Sequence, residues 1–330
     1  MNSNYYPILR IKAGEMWALS HLPDDVVSSI VPIFEMTLND EGTVPTDHVK
    51  KSLAKVAKNW KQPFYLDVSA FKDKKRVMQT AIKACIDLNL KFTLVIESRP
   101  TEMTIQVVGK YLSSHTDAAV MLRCQAVETP RRLKQLLQQL GRTEQQCDYL
   151  MDYKAEPMSL VEGLLDMCSP EKWRTLIASS AMFKVSISKL GLKVWHRFER
   201  SCWTSWLAGV KAKGIERKPA FSDYATRSLR DGVGGRGKPA ANIRYTINNQ
   251  WAVIGGKKLE DGGSEDMREL CDSLLRQDFY AGSEYSTGDL FFSEVSHERE
   301  SPGNAVQWVQ WSLNHHLVKV VRDLQAVSFD

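Results

Sequence analysis

Five carboxylates stand at or near the ends of short apolar runs in this chain. Glu35 closes VPIFE, Asp67 lies in PFYLDV, Glu97 closes KFTLVIE, Asp152 closes CDYLMD and Asp223 lies in PAFSDYA. Basic residues accompany them: Lys12 after the first run, Arg99 just past Glu97, Arg123 closing DAAVMLR, and Lys154 just past Asp152. Carboxylates gathered in a partly dry place repel one another. They need a guanidinium, an ammonium, a divalent cation or a proton to offset them. Each of those solutions makes a chemical site. The five acids are therefore the candidate catalytic residues, and Lys12, Arg99, Arg123 and Lys154 are candidate ligand-binding residues. Asp67, Glu97 and Asp152 form a candidate metal set. All-oxygen donors select Mg²⁺, Mn²⁺ or Ca²⁺. Arg99, Arg123 and Arg244 would then hold a phosphoester for metal-assisted hydrolysis. Asp67, Glu97 and Arg99 belong to adjacent runs and are expected to meet. An isolated acid at a strand end also serves as a helix cap or turn former; it is the matched positions of the five that point to a site.

A second candidate is the loop 227–238, RSLRDGVGGRGK. Glycines beside Arg230 and Arg236 would let backbone N–H groups approach a phosphate. Arg244 and Tyr245, in IRYT, follow closely and join the ligand-binding set. A plain surface loop is the alternative. His315 and His316 are neighbours in a helical pattern, so their side chains point about 100° apart. A core-facing histidine with a hydrogen-bond partner is the expectation, not a shared ligand.

The residue types also exclude chemistry. No run ends in histidine, which argues against an H-x-H zinc site. The seventh run, RTLIASS, ends without an acid, against a retaining glycosidase of the barrel type. No phosphate-binding P-loop and no G-x-S-x-G nucleophile turn are present.

The elements that must position these residues follow from periodicity. Eight strand-like runs rich in Val, Ile, Phe and Tyr begin near residues 5, 31, 63, 91, 117, 147, 174 and 219. Longer segments, several of clear helical period, lie between them. Among these, TPRRLKQLLQQLG has Thr129 as N-cap, Pro130 in the first turn and Gly141 at the end. Strand–helix alternation at this spacing predicts parallel βαβ units closing into a (β/α)8 TIM-like barrel. The first run is followed by KAGEMW and not by G-x-G-x-x-G, against a doubly wound dinucleotide fold. Strand ends converge on one rim of such a barrel, where sites are built.

Residues 1–330 read as a single barrel domain with an insert, 181–216, between strands seven and eight. A β-hairpin follows over 236–258, and helices near 264–277 and 303–325 are expected to pack on the barrel. One helical pattern is also expected over Glu15–Ile30.

Of the 330 residues, 43% are hydrophobic and 25% charged, an ordinary globular balance. The net charge of +5 is mild for a nucleic-acid binder, and the basic stretches 50–61, 131–134 and 211–218 read as solvated faces. Six cysteines without a C-x-x-C pair read as buried reduced thiols. No signal peptide or apolar run of membrane-spanning length is recognisable, so a cytoplasmic protein is expected.

Several segments together resemble the Beta-protein family: YYPILRIKAGEMWAL, VPIFE, the strand ending in IESR, KPAFSDYATR with IRYT, and NHHLVKVV. The resemblance spans about residues 5–325, with 181–216 the least similar part. It implies a phage-, satellite- or mobile-element-borne protein of a defence or toxin-control system, and supplies no catalytic residues. Three functions follow as expectations. The first is an immunity, antitoxin, sensor or effector component with a charged ligand site at the rim, partnered by the product of a neighbouring gene. The second is a Mg²⁺- or Mn²⁺-assisted phosphoester hydrolase. The third is a nucleic-acid binder using the basic loop and the tryptophan-rich insert.

Overall fold

The computed structural model describes residues 4–37, 45–71, 74–125, 128–154, 158, 163–164, 170–181, 190–213, 216–227 and 240–327. The chain forms two compact units. One comprises 1–12, 30–180 and 205–223; the other comprises 13–29, 181–204 and 224–330.

The first unit is the barrel. Its strands are β1 (Ile8–Arg10), β2 (Ile33–Glu35), β3 (Phe64–Asp67), β4 (Phe92–Glu97), β5 (Val120–Cys124), β6 (Cys147–Asp152), β7 (Thr175–Ser180) and, after the insert, β9 (Ala220–Asp223). All pair in parallel, each with the next. The Tyr6 N–H donates to the Phe221 carbonyl at 3.1 Å, bringing the last strand back to the first. The barrel is nearly closed, as the spacing of the runs predicts. Its strands are apolar on both faces because one face fills the interior and the other meets helices; Leu94, Val95 and Ile96 are consecutive and all buried.

The intervening helices include α3 (Pro45–Asn59), α4 (Lys74–Asp87), α5 (Glu102–Ser114) and α6 (Pro130–Leu140). The predicted caps are in place. The Thr129 hydroxyl accepts from the Arg132 N–H, and Gly141 takes a left-handed φ of 63° that ends α6.

The second unit is built on the antiparallel sheet β10 (Ala240–Ile247), β11 (Gln250–Lys258) and β8 (His196–Glu199). Helices α1 (Ala13–Ser20), α2 (Asp24–Val27), α8 (Gly263–Leu275), α9 (Thr287–Ser296) and α10 (Ala305–Ala326) belong to it. Helix α7 (Ser201–Lys211) leads back to the barrel.

Three sequence expectations are corrected here. The helical pattern over 15–30 divides at Pro23 into α1 and α2, because proline has no N–H to continue a helix. The insert, read without any strand, supplies β8, an edge strand whose four residues (HRFE) are too few and too mixed to show a strand pattern. Helix α9 was not expected; Ser286 caps it through the Asp289 N–H. Glycine at 288 permits its close packing, since an added Cβ would run into the Trp311 carbonyl on α10.

Candidate functional site

Strands β2, β3, β4 and β6 end in Glu35, Asp67, Glu97 and Asp152, and Arg123 is the penultimate residue of β5. The strands are parallel, so these residues lie at the same end of the barrel. Arg123 joins three of the acids. Its Nη1 donates to Glu35 Oε1 at 2.8 Å and to Asp67 Oδ2 at 2.7 Å. Its Nε donates to Asp152 Oδ2 at 2.8 Å, with Nη2 at 2.7 Å from the same oxygen. Strands β2 and β5 are separated in the sheet by β3 and β4, so the Arg123–Glu35 bond crosses the barrel interior.

Both aspartates have their second oxygen occupied as well. Asp67 Oδ1 accepts from the Ser69 N–H at 2.8 Å, and Asp152 Oδ1 accepts from the Lys154 N–H at 3.1 Å. Lys154 adopts a left-handed φ of 49°, and its carbonyl accepts from Ser180 Oγ. The cluster is mostly dry: side-chain exposure is 7% for Arg123, 4% for Asp67 and 0% for Asp152, against 23% for Glu35. Glu35 is thus the edge of the cluster that meets water.

The other predicted residues are placed differently. Glu97 is the register partner of Arg123 on the neighbouring strand. Arg99 turns away to Glu128, donating from Nε at 2.9 Å, so the expected Asp67–Glu97–Arg99 grouping does not form around that guanidinium. Asp223 follows Ser222, which shares a register row with Ser179 and Asp152; the next residue along a strand faces the opposite side. Asp223 accepts a hydrogen bond from the Tyr5 hydroxyl and stands apart from the Arg123 cluster. Lys12 is exposed beyond β1. Arg230 and Arg236 lie outside the described residues. In the second unit, Arg244 donates to the Thr226 carbonyl. Tyr245 is buried, donates to Asp289 Oδ1 at 2.6 Å and stacks on His315 at 3.8 Å between centroids, so it serves that unit's core.

Sequence reasoning missed two polar centres of the barrel. Glu128 is buried ahead of α6 and also accepts from Ser98 at 2.8 Å. Burial pushes its carboxyl upward, but hydrogen bonds from Arg99 and Ser98 and the charges of Arg99 and Arg132 outweigh this, and its pKa is lowered. Asp148 lies at the start of β6, towards the other end of the barrel. It accepts from the Tyr65 hydroxyl at 3.0 Å and from Arg174 Nε at 2.9 Å. Burial, then the Asp148 charge, raise the Tyr65 pKa well above the phenol value, which keeps that hydroxyl a donor. The available signal was an acid opening the apolar run CDYLMD, which a buried strand tolerates only with a partner.

Among the described residues, no group of three or more His, Cys, Asp or Glu side chains is arranged to hold a metal ion. The physical reason is visible at the proposed Asp67–Glu97–Asp152 set: Arg123 occupies the space between the two aspartates. Cys85, Cys124, Cys147, Cys202 and Cys271 are free and buried, and burial pushes the thiols of Cys85, Cys124 and Cys147 up to about 12, so those three are not thiolate nucleophiles near neutral pH. No helix among the described residues is long and apolar enough to cross a membrane.

The fold and its rim thus define a β/α-barrel protein with a carboxylate-rich mouth. The Beta protein family model matches residues 5–322, and the chain belongs to that family. The comparison with curated proteins gives no match.

Proposed function

We propose that this protein is a binding component, an immunity, antitoxin, sensor or effector protein of a phage- or mobile-element-borne system, and that the barrel mouth takes a cationic group of its ligand or partner. Arg123 carries this reading. One guanidinium gathers Glu35, Asp67 and Asp152 from three strands. Glu97 stands in register with Arg123 on the adjacent strand, and Arg10 stands in register with Glu35 on β1. Carboxylates gathered in this way favour ammonium or guanidinium groups over phosphate, and Glu35 is the one that reaches water. The same contacts weigh against metal-assisted hydrolysis, because Arg123 and backbone donors already occupy both oxygens of Asp67 and Asp152. Family membership supports the biological setting. Free, buried cysteines fit a reducing cytoplasm.

Thermal unfolding tests the reading, with agmatine and spermidine as cationic probes and Mg²⁺, Mn²⁺ and a nucleoside monophosphate as competitors. A probe at about 100 times its Kd adds about 2.7 kcal/mol if it binds only the folded state. The expected result is a rise in Tm of several degrees with an amine, absent in Glu35→Gln. No rise with either amine overturns the cationic-ligand reading. A rise with Mn²⁺ or the nucleotide, lost in Asp67→Asn, would restore the hydrolase.

A further inference from the structure

The positive charge of this chain is unevenly distributed. Residues 45–115, from the start of α3 to just past α5, carry 13 Lys and Arg against 6 Asp and Glu, an excess of seven. The whole chain has only +5, so the remainder carries a small negative excess. Helix α4 packs between α3 and α5, and the exposed lysines of this stretch lie on the outside of the barrel.

A groove of about 470 Å³ runs between α4 and α5 within this sector. Ile82, Ile86, Val107 and Tyr111 contribute its apolar surface, and Lys83 and Lys110 its charged edge. Ile86 is 48% exposed, and Leu88, just past α4, is 40% exposed. Lys83 pairs with Asp87 at 3.0 Å, while Lys110 has no ion pair among the described residues. An apolar groove with cationic edges between two helices is the shape that receives an amphipathic helix. The charge selects the occupant. A second copy would bring the same basic sector to a two-fold interface and meet repulsion. A nucleic acid would find an apolar surface with the Asp87 carboxylate beside it.

We propose that the α4–α5 groove docks an acidic amphipathic helix of a partner protein, its apolar face on Ile82, Ile86, Val107 and Tyr111 and its carboxylates on Lys83 and Lys110. The surface lies outside the Arg123 cluster and does not depend on the rim reading.

The test pans a displayed library of random 16-residue peptides against the full chain, with Ile86→Glu as counter-selection. The size suits about four helical turns. Ile86 is half exposed, so the variant is expected to keep the wild-type Tm within about 1 °C. The expected winners carry apolar residues at i, i+3, i+4 and i+7 with Asp or Glu between them. As synthetic peptides they should bind at least tenfold more weakly to Ile86→Glu. They should lose several-fold on Lys110→Glu and weaken with salt, and Glu35→Gln should leave them unchanged. No enrichment specific to the wild type, or enrichment of basic peptides, overturns the proposal. A labelled single-stranded oligonucleotide is run in parallel. If it binds, is unaffected by Ile86→Glu and is lost on Lys110→Glu, the face belongs to nucleic acid and the proposal also falls.

Discussion

The two ends of the barrel interior solve the same problem with opposite results. Towards the N-terminal ends of the strands, Asp148 is answered by one guanidinium, Arg174, and one phenol, Tyr65. That centre is neutral, and Arg174 is 41% exposed and able to swing into water. At the mouth, one buried guanidinium serves three carboxylates from three strands. That centre gathers more carboxylates than the floor and has a partly exposed edge at Glu35. Both bury polar groups, which stabilises little by itself. The mouth adds a water-facing carboxylate at its edge, and that edge is what a ligand can use.

Removing the guanidinium should have the largest effect. Arg123→Met strips the buried Asp67 and Asp152 of the guanidinium that bonds both, and the expected cost is about 3–5 kcal/mol. Urea unfolding should show a large fall in midpoint with an unchanged slope. A loss under about 1 kcal/mol would mean that water already reaches the cluster, and the contrast with the floor would disappear.

The floor should be more forgiving. Asp148→Asn retains an acceptor for Tyr65 and lets Arg174 turn to solvent, so about 1–3 kcal/mol is expected. A cost equal to that of Arg123→Met would show that the floor pair is no less constrained than the mouth.

Glu128 sharpens the comparison through pH. Its folded pKa is lowered, so its contribution is present above the unfolded carboxylate range and is lost as pH falls through the folded value. Glu128→Gln should cost about 1–2 kcal/mol at pH 7, and the gap from wild type should shrink on acidification below about pH 4. A gap that stays constant with pH would show that Arg99 and Arg132 do not favour its charge.

The smallest effect is expected at Glu35. It is partly exposed, and Arg123 keeps two partners without it, so Glu35→Gln should shift stability by less than about 1 kcal/mol. That tolerance makes it the right probe of ligand binding.

Much of the barrel was legible because its cues are local. Apolar runs such as FTLVI and FYL, a capped helix at Thr129–Gly141 and their regular spacing each follow from neighbouring residues alone. Elements read poorly where composition and length were ambiguous. The four residues of β8, three of them polar, look like a loop, and Thr287–Ser296 is one short helix among turn-forming residues. His315 and His316 were expected to face different ways, and they do: His315 bonds Asp289, and His316 bonds Thr246. The surprise is that both are buried, because α10 is enclosed on most sides and carries no simple polar face.

Local patterns along the chain dictate the repeating strand–helix order, the parallel barrel, and the acids and bases at its strand ends. Those properties depend on side chains a few residues apart. Which of these groups meet is set by long-range packing. Arg123 reaches Glu35, 88 positions away, because barrel closure brings β2 and β5 face to face across the interior. Asp223, of the same type and near the same kind of strand end, is excluded by the two-residue alternation of a strand, which sets it on the opposite face from its neighbour Ser222. Register and closure are long-range properties, and no local pattern encodes them.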